Sequence, residues 1–351
     1  MALKQYGVLK GKAINKIIGQ RSSPHYQVHL IDDTTDYRIA VNVKSNLAPS
    51  ELMYLIIDDF QHPVLEKLAR LDKGFTPLQS APSAPNKMAL DFIRGNLFDP
   101  RQIRPLPYNV PGPDNDLNEK IDVYVQRAIG DERASVYAFG ERWGPENGLK
   151  DKYFGFKPGN GIHDIHMNQG NVGEFVKDDG VWQDGGLLFH FPSVDKVIVG
   201  VGAEVWPEQW VAVFLAFQSQ CWHTDDHTGH RLPQCEGTII PPEKEPSVQI
   251  VAALVNPKGE DPGHETVTLI NLAPDAVVLS GWFIADQNKN RSIIADMRLK
   301  PGATGVVNLD GQGAQLGNNG GIITLLDPEG LKHHGVSYTK EQALSGWTIL
   351  F

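Results

Sequence analysis

Long apolar runs are missing from this 351-residue chain, and no stretch approaches the roughly 18–20 apolar residues of a membrane-crossing helix. The opening residues, MALKQYGVLKGKAINKII, lack the apolar core and small-residue cleavage site of a secretory signal, and they read as a first strand. Cysteine is scarce. Cys221 and Cys235 are the only two, too few for a disulfide framework in a chain of this length. These absences lead to the expectation of a cytoplasmic protein with no membrane span. Basic residues are in deficit as well: 32 Lys and Arg against 42 Asp and Glu leave a net charge of -10. That balance argues against a protein that coats nucleic acid or anionic lipid electrostatically, though not against a local grip on one phosphate. There is no G-x-S-x-G elbow, no Walker loop, no G-x-G-x-x-G after a strand and no C-x-x-C. The common serine-hydrolase, nucleotide-binding and redox signatures are therefore absent.

What is present is an ordinary globular composition, 41% hydrophobic and 21% charged, with enough Gly (35) and Pro (24) to favour turns and short strands. Tyr26–Ile31 and Tyr37–Val43, separated by Asp32-Asp-Thr-Thr-Asp36, read as a hairpin. Residues from about Ser50 to Leu71 read as helical, interrupted at His62-Pro63. A second helix is expected from Asp116, with Glu119 three residues later as in a capping box, Leu117, Ile121, Val125 and Ile129 on one stripe, and Gly130 at its end. Strands follow at Val136–Phe139, Tyr153–Phe156, Ile162–Met167, Leu187–Phe191, Val197–Val201 and Trp210–Phe217. Prolines 241, 242 and 246 then mark a stiff connection. Beyond it, about seven short apolar runs in roughly 100 residues have the spacing of a β-sandwich. The division expected is a β-rich α+β domain over 1–235, a linker over 236–246 and an all-β domain over 247–351.

The last segment resembles a lamin-tail domain, which implies an immunoglobulin-like sandwich. The matching stretches are Val267–Asn271, Leu279-Ser-Gly-Trp282, Leu299-Lys-Pro-Gly302, Leu316–Gly320, Ile323–Gly330 and Val336–Tyr338. Gly281 permits a bend that tucks Trp282 between sheets, and Lys300-Pro-Gly302 and Asp327-Pro-Glu-Gly330 suit tight turns. The segment has no cluster of catalytic residue types. His333-His334 reads as an exposed pair, and the role expected is recognition or tethering of a protein partner.

Residues 1–230 resemble the YukJ-like domain-of-unknown-function family. The carrying stretches are Leu90–Asn96, Tyr137–Trp143, Gly161–Asn171, Trp182–Gly185, Ala216–Gln220, Thr224–Asp226 and Gly229-His230. The resemblance implies membership but brings no settled reaction, so any chemistry has to be read from the residues.

Six of the twelve histidines fall between residues 163 and 230. The densest segment, His163-Asp164-Ile-His166-Met-Asn168-Gln169, follows Pro158-Gly-Asn-Gly161. As a strand it presents Asp164, His166 and Asn168 on one face and His163 and Gln169 on the other. Such a face suits a divalent metal or acid–base work; the competing reading is hydrogen bonds that tie loops together. A second cluster, Cys221-Trp-His223-Thr-Asp225-Asp-His227-Thr-Gly-His230 with Cys235 beyond, supplies further ligand types, although its spacing fits no standard zinc finger. His190 lies inside an apolar strand, where a satisfied core histidine is the common outcome. Arg94 and Arg142 are candidate anion clamps.

The expectation is a metal-dependent hydrolase, of phosphodiesters above all. His163, Asp164, His166, Asn168, Gln169 and Arg142 would do the catalytic work, and Asp164, His166, His190, His223, Asp225 and His230 would supply the metal ligands. The alternative is a non-catalytic ligand-binding or adaptor protein that uses the same polar strand as a groove. A third reading takes His223-Thr-Asp225 as part of a non-haem iron triad. Substrate, metal identity and whether the protein is an enzyme stay open at this point.

Overall fold

The computed structural model describes all residues except 1–4, 20–24, 44–46, 49–51, 79–96, 100–101, 103, 107–115, 164–184, 200–201, 218–221, 225–228, 232–237 and 240–245. Two compact units emerge, residues 1–108 with 127–241 and residues 109–126 with 242–351.

The first unit contains β1 (Tyr6–Ile17), β2 (His25–Ile31), β3 (Asp36–Asn42), β4 (Leu47–Ala48), β5 (Leu52–Ile57), α1 (Leu65–Ala69), β6 (Gly74–Pro77) and β7 (Arg104–Pro105). After helix α2 (Leu117–Gly130), within which the two units divide, come β8 (Ser135–Glu146), β9 (Gly159–His163), β10 (Gly185–Phe191), β11 (Val194–Val199), β12 (Gly202–Trp206) and β13 (Gln209–Phe217). Three short strands end the unit: β14 (Trp222–Thr224), β15 (Gly229–Arg231) and β16 (Thr238–Ile239).

Five of these strands close on themselves in the order β1-β2-β3-β9-β8-β1. β1 makes this possible by serving two neighbours along its length. Its first half pairs with β8, Tyr6 opposite Glu141 through Gly11 opposite Val136. Its second half, Lys12 to Ile17, pairs with β2 across a register irregularity between Ala13 and Asn15. β3 runs parallel to β9, and β9 runs antiparallel to β8. A three-strand meander closed by a parallel fifth strand is the order of a Greek-key barrel of OB type. β10, β13, β5 and β7 continue from β8 as an open antiparallel sheet.

The β2–β3 hairpin forms as its sequence dictates. Asp32 Oδ1 accepts from the Thr34 and Thr35 amides, both at 2.7 Å, and the Asp32 amide donates to the Thr35 carbonyl. Aspartate closing its own turn in this way fixes the register. Tyr26, Val28, Leu30, Tyr37, Ile39 and Val41, on alternating positions, are buried.

The expected helix over 50–71 is corrected. Leu52–Ile57 is a strand beside β13, and only Leu65–Ala69 is helical. Leu-Met-Tyr-Leu-Ile-Ile is apolar throughout, with Leu52, Tyr54 and Leu55 buried on both faces of the strand, and such a run carries no period to tell strand from helix. Val8 of β1 and Phe139, Leu188 and Phe214 of the open sheet pack with Phe60, Val64, Leu68 and Phe98. Phe214 stacks on Phe98 at 4.4 Å and meets Phe60 edge-on at 5.5 Å. Full burial of one such ring contributes about 1.5–3 kcal/mol.

Tyr153–Phe156, expected as a strand, is instead a turn in the β8–β9 connection. Asp151 Oδ1 takes the amides of Tyr153 and Phe154, and Gly155 adopts φ +76°. The side chain thus captures backbone donors that a strand would have used.

The second unit contains β17 (Val248–Leu254), β18 (Thr266–Asn271), β19 (Val277–Val278), β20 (Phe283–Ala285), β21 (Arg291–Ile293), β22 (Arg298–Leu299), β23 (Thr304–Asn308), β24 (Gly320–Leu326), β25 (Lys332–Thr339) and β26 (Ile349–Leu350). Two four-stranded antiparallel sheets, β23-β18-β17-β26 and β21-β20-β24-β25, share one core that includes Ile250, Leu269, Ile284, Ile323 and Leu325. Gly281, Gly302 and Gly330 hold positive φ at the three expected turns.

The start of α2 belongs to this unit. The Asp116 carbonyl accepts from Lys120, so Asp116 caps the helix through its backbone. Its carboxylate, however, pairs with Lys289 at 2.6 Å and with Lys120 at 2.9 Å. Glu119 pairs with Lys332 at 2.7 Å instead of closing a capping box. One turn on, Asp122 accepts from Ser337 and Gln126. Leu117, Ile121 and Val125 are buried as expected, but so are these three carboxylates.

Candidate functional site

β9 ends, β10 begins and β13 ends at one end of the sheet, and these are the points where the histidine-rich segments leave or rejoin it. β9 ends at His163, opposite Glu141 of β8, and β10 begins close by, with Gly186 opposite Phe139 of the same strand. The segment that opens with Asp164 therefore leaves and rejoins the sheet at neighbouring positions on β8. Next to Gly185 lies Leu215 of β13, and β13 ends two residues further on at Phe217, opposite Leu52. The chain then continues to the β14–β15 hairpin, where His223 stands directly opposite His230. Residues in such register have Cα atoms about 4.5–5.5 Å apart. Asp164, His166, Asn168, Gln169, Asp225, His227, Arg94 and both cysteines lie outside the described residues. For His163, His223 and His230 the backbone position is what the structure gives.

His190 does not join them. β10 carries it away from Gly185 by five residues, roughly 16 Å at the rise of a strand, to a place between Ser135 and Trp210. There its Nε2 lies 2.7 Å from Glu208 Oε1, and its ring stacks on Trp210 at 4.2 Å. Glu208 also accepts from Trp210 Nε1. The imidazole is thus engaged with Glu208 and Trp210 at the opposite end of its strand from Gly185. Among the described residues no group of three or more His, Cys, Asp or Glu is arranged to hold a metal ion.

Arg142 sits one residue from Glu141 and so beside the point where His163 ends β9. Its register partner is Ile162, which in turn pairs with Ile39 of β3, and both are buried. Its side chain therefore belongs to the inner row of the closed strands. The guanidinium lies 5.0 Å above the Phe75 ring, and Nε is buried with no hydrogen-bond partner. A buried donor left open is uncommon. Nearby, Tyr37 donates to Asp32 Oδ2 at 3.0 Å; burial and that carboxylate push the phenol up, while Arg142 pulls it down.

A second cluster, missed from sequence, occupies the other face of the same strands. Arg38 Nε donates to Asp151 Oδ2 at 2.6 Å and its Nη1 to Gln27 Oε1 at 2.8 Å. Its guanidinium lies 4.6 Å over Trp143 and 4.9 Å over Tyr153. Gly161 makes this possible: a Cβ there would stand 1.8 Å from the Arg38 carbonyl and 2.4 Å from the Trp143 ring. An arginine amid the apolar residues of Tyr37–Val43 was the available signal, since a charge on a buried strand requires a partner.

Residues 1–229 match the model of the family described as "Uncharacterized conserved protein (DUF2278)". The chain belongs to this family. It is 44% identical over 242 residues to the "Uncharacterized protein YukJ" of Bacillus subtilis (strain 168), a stretch that is 68% of this chain and 98% of that relative. No solved structure matches the chain. The family segment includes the closed strands, the sheet end, Arg142 and α2, and it stops before β17.

Proposed function

We propose that the family segment is a metal-dependent hydrolase of phosphodiesters, with its centre at the sheet end where β9 stops, β10 starts and β13 leads into the β14–β15 hairpin. The observation that carries this reading is Arg142, a buried-Nε guanidinium with an open donor beside the exit of the His163–Gln169 segment. A guanidinium with one buried donor open and no carboxylate partner among the described residues is suited to bind an anionic oxygen and to stabilise added charge on it. Asp164 and His166, with His223, Asp225 and His230, are the proposed ligands of a divalent ion, which would supply an activated water. His163, Asn168 and Gln169 would orient the ester. The C-terminal unit, read as a lamin-tail-like immunoglobulin sandwich, would tether the enzyme to its target.

The OB-type strand order supports a second reading, a non-catalytic binder of an oligomeric ligand, because barrels of this order bind oligonucleotides and oligosaccharides without chemistry. Metal analysis of the purified full-length protein, combined with turnover of bis(p-nitrophenyl) phosphate, separates the two. A stoichiometric divalent metal that is lost in His166→Ala, with turnover that falls in both His166→Ala and Arg142→Ala, supports the hydrolase. Absence of both metal and turnover in folded protein overturns it in favour of the binder.

A further inference from the structure

The C-terminal unit aims two consecutive histidines at one strand edge. β24 and β25 pair Leu325 with His334 and Leu326 with Lys332, so His333 is the extra residue of a bulge. Successive residues of a regular strand face opposite sides, and a bulge re-aims one of them. Both rings consequently reach β17. His333 Nε2 accepts from the Val248 amide at 3.2 Å and lies 3.3 Å from Ser247 Oγ, and His334 Nδ1 accepts from the Ile250 amide at 3.2 Å. Val248 and Ile250 are two residues apart and present their N–H groups on one edge of β17. β26 covers that strand only further along, opposite Ala252 and Ala253. The imidazoles stand where the carbonyls of a neighbouring strand would otherwise be. Accepting at these nitrogens requires that both rings be neutral.

We propose that His333 and His334 form an acid-released latch, in which protonation of the two rings expels them from the β17 edge and opens the seam between β17 and β25. A protonated ring has no acceptor nitrogen and would turn an N–H toward each backbone N–H. The surroundings set the direction. Burial holds His333 below its ordinary range and His334 down to about 4, with Lys332 and His333 opposing the charge on His334. Asp327 is the acidic group that favours the cation on His333, and the Lys332 ammonium is itself held by Glu119 of α2. β17 contributes no charged side chain, and the Trp282 ring meets His333 edge-on at 4.8 Å. The latch is therefore closed near neutrality and open in acid.

Hydrogen exchange of the Val248 and Ile250 amides in the full-length protein, from about pH 7.5 to about pH 4 and corrected for intrinsic rates, tests the latch. Protection at these two amides should fall by about tenfold or more, while Ile323 and Leu325 of β24 keep theirs. In His333→Gln/His334→Gln, which retains acceptor oxygens that do not titrate, protection should stay level. Unchanged protection in the wild type overturns the proposal, as does an equal fall in the double variant. Simultaneous loss at β17 and β24 overturns it too, because that is global unfolding. Should the double variant not fold, ring titrations of the wild type decide: His333 and His334 titrating at the ordinary value overturn the latch.

Discussion

Lys332 Nζ donates to Glu119 Oε1 at 2.7 Å, and the space for that oxygen exists because residue 335 is glycine: a Cβ there would stand 2.6 Å from it. Gly335→Ala is expected to destabilise the C-terminal unit by about 1–3 kcal/mol through overpacking against the helix. Glu119→Ala is expected to cost about 3–5 kcal/mol, because it breaks a mostly buried pair in which the ammonium is only 16% exposed. Denaturant midpoints at constant slope measure both. A neutral Gly335→Ala would mean that α2 docks more loosely than the contact implies.

The C-terminal unit should respond to pH in two opposing ways. His333 and His334 titrate below the ordinary histidine value, so their contribution is complete above about 6.5 and is lost as pH falls toward about 4. Glu265 is buried with Oε2 unpartnered; desolvation, with Asp261 and Asp286 nearby, raises it from 4.5 to about 7. Its contribution is complete below about 4.5 and is lost as pH rises through about 7. Glu265→Gln should therefore gain stability over the wild type at pH 8 relative to pH 5, with Oε1 still accepting from the Leu316 amide. Thermal melts at the two pH values check the sign.

In the family segment the Arg38–Asp151 pair is almost fully enclosed, with side chains 4% and 1% exposed. Asp151→Ala removes the counter-charge and the two turn bonds to Tyr153 and Phe154 at once. A loss of about 3–5 kcal/mol is expected, with a shift in Trp143 fluorescence as the β8–β9 connection lifts. Melting curves that match the wild type would show that the pair contributes nothing net.

His190→Ala tests the placement of that residue apart from the sheet end. It loses the bond to Glu208 and the stack on Trp210, a cost of about 1–2 kcal/mol. Metal content and phosphodiester turnover should stay at wild-type values. Loss of metal in this variant would return His190 to the ligand set.

Local chemistry made much of the architecture legible from sequence. The Asp32 turn, the α2 stripe of Leu117, Ile121 and Val125, and the glycine turns at 281, 302 and 330 each follow from interactions within a few residues. Features that depend on distant partners were not legible. Leu52–Ile57 is a strand because β13 lies beside it, and Glu119 misses its capping box because Lys332, far along the chain, competes for the same oxygen. His333-His334 read as an exposed pair beyond a turn, and no local signal reveals the bulge that aims both rings at β17. At the candidate site, the residue types of the His163 segment and Arg142 stood out at once. That β8 sets the end of β9 beside the start of β10 follows from pairings, which composition does not encode.

The border between the two units runs through a helix as well as along the proline-rich connection, and this has a practical side. Asp116, Glu119 and Asp122 lie in the stretch shared with the family, whereas Lys289, Lys332 and Ser337 come from beyond it. The appended module is thus not a cassette that scissors at the connection would free intact.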